Sequence, residues 1–258
     1  MKQWSILILA IACAAVLWLG NQQWKEKVLV KSDPTSAATT RGTTEQLPDN
    51  EQDLTAYTSN WPEAAQTLFQ RAVAEERSFK ILLAGSKALG ENDTGWAGQL
   101  ATELKQTYGE AVDVSVKSYD MTSLEFIQAN KQAELAAEQA DLVLLEPFIL
   151  MNNGEVDNDQ AVEHYSMIIA AILAAKPDAV VLLQPANPLS NARFYPRQVE
   201  ALKAYADTNG LDYLDHWQAW PETEAERLQL LADGDPSFPN EAGHKLWAAY
   251  LIDYFIAN

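Results

Sequence analysis

The sequence predicts an α/β fold, a three-layer α/β/α sandwich around a five-stranded parallel sheet. Three observations predict it. From about residue 60 to the C-terminus, helical and strand periodicities alternate. Two strand segments, "DLVLLEP" and "AVVLLQP", are continuous apolar runs, as strands covered on both faces are. The chain has 258 residues and is 48% hydrophobic, which supplies one sizeable core and shows no internal repeat.

The elements follow in order. "NWPEAAQTLFQRAVAEE" has Asn60 as N-cap and Pro62 in the first turn of a helix. "FKILLAG" is a short apolar strand. "TGWAGQLATELKQTYG" is an amphipathic helix stopped by Gly109, and "VDVSVKSY" alternates as a strand. "TSLEFIQANKQAELAAEQA" reads as one helix capped by Thr122 or Ser123, before the strand that Pro147 ends. "DQAVEHYSMIIAAILAAKP" is a helix, "AVVLLQP" a strand, and "YPRQVEALKAYADTNG" a helix with Gly210 as its stop. "LDYLDHW" is the fifth strand, and "TEAERLQLLADG" and "NEAGHKLWAAYLIDYFIA" are the last helices.

The formal net charge is −18. Nucleic-acid binding needs a cationic footprint, so that partner class is excluded, and the surface reads as solvated and acidic. The one cysteine, Cys13, leaves no disulfide, thiolate site or cysteine nucleophile in the remainder. No two of the three histidines share a metal-ligand spacing, and "GSKALG" lacks the end of a P-loop, so neither a metal nor another cofactor is expected.

Residues 5–20 carry no charge, a run slightly under the ~20 residues of a membrane span. Trp4, Trp18 and Trp24 flank it as interfacial aromatics do. Residues 1–20 are expected to be an uncleaved anchor, with a cleaved signal or lipidation at Cys13 as the alternatives. Residues 21–58 are polar and lack aliphatic periodicity, which predicts a flexible tether before a folded domain at 59–258. The expected location is the cell membrane with the domain on the extracytoplasmic side, or a secreted protein.

Ligands of parallel sheets bind at the carboxyl ends of the strands. Ser86 follows the first strand there, and Glu146, Gln184, Asp215 and His216 end later ones. Ala84-Gly85-Ser86 is followed by Gly90, then by Trp96 in "TGWAGQLATEL". Near the C-terminus, "DPSFPNEAGHKLWAAYL" carries Asp235, Phe238, Pro239, Asn240 and Gly243. On these residues the stretch 60–258 resembles the SGNH/GDSL hydrolases, as a divergent member with degenerate catalytic blocks. "YLDHWQAW" also resembles a stretch common in Gram-positive members.

The resemblance implies a flavodoxin-like sheet and an esterase or deacylase that works without a cofactor. Its substrate would be a small ester or an envelope polymer. Ser86 would be the nucleophile and Asp235 the triad acid. Gly85, backbone N–H groups near Ser86, and Asn152 or Asn153 would hold the oxyanion, with Glu146 as a further binding residue. Four departures accompany the match. Gly85 stands where the family has Asp, the second-block glycine has no counterpart near "SYDMTSLEF", and "EPFILMNNG" replaces the third block. Phe238 stands at the catalytic histidine, and phenylalanine cannot take a serine's proton.

A substitute base has two sources. His216 lies on the catalytic edge, but three strand spacings, ~14 Å at ~4.8 Å each, separate it from the first strand in a 2-1-3-4-5 order. Asp235 or Glu146 acting directly on Ser86 is the second source, if burial raises the carboxyl pKa. His164, mid-helix, and His244, on the last helix, read as packing residues. The expected function is therefore a serine hydrolase displayed at the cell envelope, with a degenerate domain that binds an envelope ligand or partner without turnover as the alternative.

Overall fold

The computed structural model describes residues 54–257. Five parallel strands form one sheet in the order β2-β1-β3-β4-β5: β1 Phe79–Ser86, β2 Val112–Tyr119, β3 Leu142–Leu145, β4 Val180–Leu183 and β5 Asp212–Tyr213. Burial follows the sequence pattern. The apolar runs of β3 and β4 are buried throughout, whereas β2 lies at the edge and exposes Asp113, Val116 and Ser118.

The helices are α1 Glu63–Ala74, α2 Trp96–Tyr108, α3 Ser123–Gln128, α4 Gln132–Ala137, α5 Ile149–Asn152, α6 Asn158–Ala175, α7 Tyr195–Asn209, α8 Glu224–Leu228 and α9 Glu241–Phe255. Parallel crossovers are right-handed. The crossover from β1 to β2 runs opposite in direction to those from β2 to β3, β3 to β4 and β4 to β5. It therefore places α2 on one face, where α9 joins it, and α4, α6 and α7 on the other.

Local chemistry sets several boundaries. Thr122 caps α3 in a capping box, its side chain accepting from the Glu125 N–H while Glu125 accepts from the Thr122 N–H. The single helix expected over 122–140 is broken into α3 and α4 at Asn130, whose φ of 53° is left-handed, a conformation asparagine tolerates. Asn60 does not cap α1. Pro62 takes that place, and the Asn60 amide donates to the Asp253 carbonyl. The helix expected after Thr223 ends at Leu228, and β5 keeps only two residues of its expected span.

The folded part begins before residue 59. Thr58 is buried, Leu54 and Tyr57 pack on the core, and the Tyr57 carbonyl accepts from the Ala257 N–H at 2.9 Å. Residues 54–58, expected in the tether, thus belong to the folded part. The anchor segment and most of the tether lie outside the described residues. Among the described residues, no helix is long and apolar enough to cross a membrane.

Candidate active site

β1 ends on Ser86, which is fully buried. Its Oγ accepts from the Ala88 N–H at 3.2 Å and caps the 3-10 turn Lys87–Leu89. Its carbonyl accepts from the Ser118 hydroxyl at 3.1 Å. Its N–H donates to Glu146 Oε2 at 2.8 Å. Gly90, with φ 83°, closes the turn. A Cβ there would lie 2.3 Å from Gly95 Cα and 2.8 Å from His244 Cε1, so only glycine fits.

Glu146 directly follows β3, and strand register brings it to Ser86: Leu145 pairs with Ala84, and the Glu146 N–H donates to the Ala84 carbonyl at 2.9 Å. Gly85 permits the approach, because a Cβ on it would lie 2.8 Å from Glu146 Cβ and 2.6 Å from its carbonyl oxygen. Glu146 is fully buried, and desolvation raises its pKa; the Ser86 hydroxyl and the N–H groups of Ser86, Ile149 and Phe148 oppose the shift. No lysine or arginine among the described residues pairs with it, and its Oε1 has no hydrogen-bond partner. Two residues on, Phe148 is left-handed at φ 64° and donates its N–H to the Glu146 carbonyl at 2.9 Å. That backbone costs about 1–3 kcal/mol for a side chain of this size. Burial of the ring against Phe126, at 4.7 Å, offsets it.

Phe238, expected from the sequence at the family's catalytic histidine, is half-buried in the turn after Asp235. The Lys87 ammonium sits 4.6 Å from its ring centroid and 3.1 Å from Asp120 Oδ1. Asp235 is exposed. Its Oδ1 accepts from the Ser237 N–H at 3.1 Å and its carbonyl from the Phe238 N–H at 3.1 Å, so it builds the turn and orients no ring.

His216 is not brought to Ser86 as a base; its ring is committed elsewhere. It is buried and stacked on Trp247 at 4.0 Å and 8°. Nδ1 accepts from Trp220 Nε1 at 3.1 Å, which leaves Nε2 to donate to the Pro185 carbonyl at 2.9 Å. Desolvation lowers its pKa to about 3. Trp217 Nε1 donates to the Ala186 carbonyl at 2.7 Å, so "YLDHWQAW" is a structural clamp on the loop after β4. His244 accepts on Nδ1 from the Trp96 N–H at 3.3 Å, and burial lowers its pKa to about 4. His164 Nδ1 lies 2.8 Å from the Ser123 hydroxyl, behind α3.

Of the two asparagines, Asn152 is buried and Asn153 is exposed. Asn152 Oδ1 accepts from the Ser123 N–H at 2.9 Å, and its Nδ2 has no partner. Asn153 lines a surface cavity of about 960 Å³ with Phe194 and Arg197; Ser86 does not line it. Gln184, across from Glu146 on β4, accepts from Trp247 Nε1 at 3.1 Å. Asp215 is half-buried and belongs to the turn before His216.

Sequence reasoning missed Lys87, Asp120, Asn187 and Tyr195. Asn187 donates to the Ser237 carbonyl at 3.1 Å and ties the Phe238 turn to the loop after β4. Tyr195 is buried with its hydroxyl unpaired, and burial, together with the Glu146 carboxylate, raises its pKa. Nothing local in the sequence marks these residues, because each acts through a partner far along the chain. Among the described residues, no three His, Cys, Asp or Glu side chains converge as metal ligands do.

With this geometry in place, the comparisons with known proteins decide the family. The model of the GDSL-like lipase/acylhydrolase family matches residues 82–246, from β1 to the last helix. The chain belongs to that family. Solved structures agree on the fold. A lipolytic protein of the G-D-S-L family from Desulfitobacterium hafniense shares 16% identity, covering 69% of this chain and 99% of its own, with a TM-score of 0.55. A GDSL-like lipase from Bacteroides thetaiotaomicron shares 14% identity over 75% of this chain and 98% of its own, at a TM-score of 0.53. A catalytic mutant of an acetylxylan esterase from Geobacillus stearothermophilus shares 15% identity over 68% of this chain and 93% of its own, at a TM-score of 0.56. No curated protein matches the chain. The GDSL-like fold thus stands, with Ser86 at the end of its first strand.

Proposed function

We propose that this chain is a catalytically degenerate GDSL-like domain, whose carboxyl sheet edge binds a ligand or partner and does not hydrolyse esters. The observation that carries this reading is Phe238. It fills the base position with a ring that packs under the Lys87 ammonium, 4.6 Å from its centroid. A serine hydroxyl without a base is a weak nucleophile. Two further features support the reading. Ser86 is fully buried, and its N–H, which would face an oxyanion, is committed to Glu146 at 2.8 Å.

One observation favours a second reading, a hydrolase with Glu146 as base. Its carboxyl group adjoins Ser86, and burial raises its pKa toward the range of a general base. Turnover of p-nitrophenyl acetate by the full-length chain separates the two. The degenerate reading expects equal rates for wild type, Ser86→Ala and Glu146→Gln. A rate that falls by ~10²-fold or more in both variants establishes the hydrolase.

The apolar run at residues 5–20 and the acidic, cysteine-free remainder support display of the domain on the outer face of a membrane. Membrane fractionation followed by protease treatment of intact cells tests this. Carbonate-resistant membrane association and cleavage from outside are expected; a soluble or protected protein contradicts it.

A further inference from the structure

We infer that the Glu146 side chain is a built-in occupant of the oxyanion pocket, holding the Ser86 N–H where a substrate's carbonyl oxygen would otherwise sit. This deepens the degenerate reading, on which it rests, by naming a second lesion independent of Phe238.

The first ground is distance. An oxyanion needs N–H donors about 2.7–3.1 Å away, and Glu146 Oε2 already lies 2.8 Å from the Ser86 nitrogen. The second is enclosure. Glu146 and Ser86 are both fully buried, and no pairing cation among the described residues draws the carboxyl group elsewhere. The third is how the chain delivers the group. β3 ends at Leu145, and the Glu146 carbonyl, the next main-chain acceptor in the register for the Ser86 N–H, is turned to the Phe148 N–H at 2.9 Å. The Glu146 side chain makes the next hydrogen bond to β1 in place of main chain. Gly85 leaves the space that its Cβ would take from Glu146, and left-handed Phe148 turns the chain back at once. The fourth is that Ser86 is tied at its main chain: its N–H and carbonyl are both bonded within the fold, and its Oγ accepts from the Ala88 N–H.

The consequence is that restoring the base alone does not restore chemistry. In a repaired site, Ser86 Oγ would bond to the ester carbonyl carbon and pass its proton to the imidazole introduced at position 238. That proton would go on to the departing phenolate, and water would then release the acyl group and return a proton to Ser86. The developing oxyanion needs the N–H that Glu146 holds.

The test compares full-length wild type, Phe238→His, Phe238→His/Glu146→Ala and Phe238→His/Glu146→Gln. Each is read by p-nitrophenyl acetate turnover and by mass-spectrometric labelling of Ser86 with a fluorophosphonate, with thermal melting as the check on folding. Phe238→His alone is expected to stay within about threefold of wild type. The alanine double variant is expected to exceed it by at least ~10-fold, against the ~10²–10³ that one oxyanion donor supplies, and to lose the gain with Ser86→Ala. The glutamine double variant is expected to match Phe238→His, since its amide still fills the pocket. A Phe238→His rate equal to that of the alanine double variant overturns the inference, as does a glutamine variant as active as the alanine one. A folded alanine double variant with no gain also overturns it.

If the alanine variants do not fold, the Ser86 amide proton of wild type decides by NMR. It is expected to move as Glu146 titrates and to stop moving in Glu146→Gln; an amide that does not respond overturns the inference. Labelling of wild type at Ser86 would instead count against the degenerate reading.

Discussion

β3 carries a buried acid at each end, and the protein treats the two differently. Asp141 precedes the strand and is 2% exposed. It accepts from both Arg77 Nη groups at 2.9 and 3.2 Å, from the Lys80 N–H at 2.8 Å, and pairs with Lys176 at 3.2 Å. Glu146 follows the strand with no cation and one oxygen unpaired. The contrast extends to the neighbours. At the amino edge, Trp61 Nε1 and Tyr108 OH both donate to the Phe255 carbonyl, at 3.0 and 2.7 Å, inside an aromatic cluster with Phe69 and Phe79. At the carboxyl edge, Asn152 Nδ2, Gln184 Nε2, Asn187 Oδ1 and Tyr195 OH have no partner within the protein.

An unpaired buried polar atom costs about 1–3 kcal/mol, so the carboxyl edge gives up stability that the amino edge keeps. The amino edge is built to hold the fold. The carboxyl edge keeps its polar groups where parallel sheets bind ligands, a pattern expected where stability is traded for binding.

The contrast is broken most directly by mutating the two acids. Asp141→Ala leaves the half-buried Arg77 and Lys176 cations and the Lys80 N–H without their acceptor and should lower unfolding free energy by about 2–4 kcal/mol, read by chemical denaturation, the upper part of the range for buried pairs being reduced by the partial exposure of Arg77. Glu146→Gln should cost under about 1 kcal/mol or stabilise, since it removes no ion pair. A larger loss than for Asp141→Ala would reverse the assignment of the two edges.

A pH titration of stability sharpens the same point. Glu146 is raised in the folded state, so it favours folding when protonated, and its contribution is lost as pH climbs through the folded pKa. Glu146→Gln should therefore flatten the decline on the alkaline side of the ordinary carboxylate range. His216 acts in the other window. Its folded pKa of about 3 lies below the ordinary 6.5, so the unfolded chain binds the proton first and stability falls as pH drops from 6.5 toward 3. His216→Gln should reduce that acid slope, and an unchanged slope would contradict the buried neutral ring. The smallest expected effect is for Tyr195→Phe, which removes only an unpaired hydroxyl. Its melting temperature should be unchanged or slightly higher, whereas a drop of several degrees would show that the hydroxyl is structurally paired.

Much of this was legible in the sequence, for physical reasons that also set its limits. The runs "LVLL" and "VVLL" announce strands covered on both faces, and the alternation of "VDVSVKSY" fits the edge strand that β2 is. The break at Asn130 was not legible, because "SLEFIQANKQAELAA" keeps helical periodicity across a residue that turns left-handed. Strand-end logic named both Ser86 and Glu146. Only register, with Ala84 opposite Leu145, shows that they meet. His216 stayed a candidate base because its position on the sheet edge carries no information about ring orientation. Trp220 of "HWQAW" was the local signal that it packs among indoles; the stacked Trp247 lies far along the chain.

The central claim, that Ser86 is no longer an activated nucleophile, is tested most directly by exposing the full-length wild-type chain to a fluorophosphonate and measuring its intact mass. The account predicts no adduct at Ser86 under conditions that fully label a serine esterase control. A stoichiometric adduct that maps to Ser86 and disappears in Ser86→Ala would contradict it.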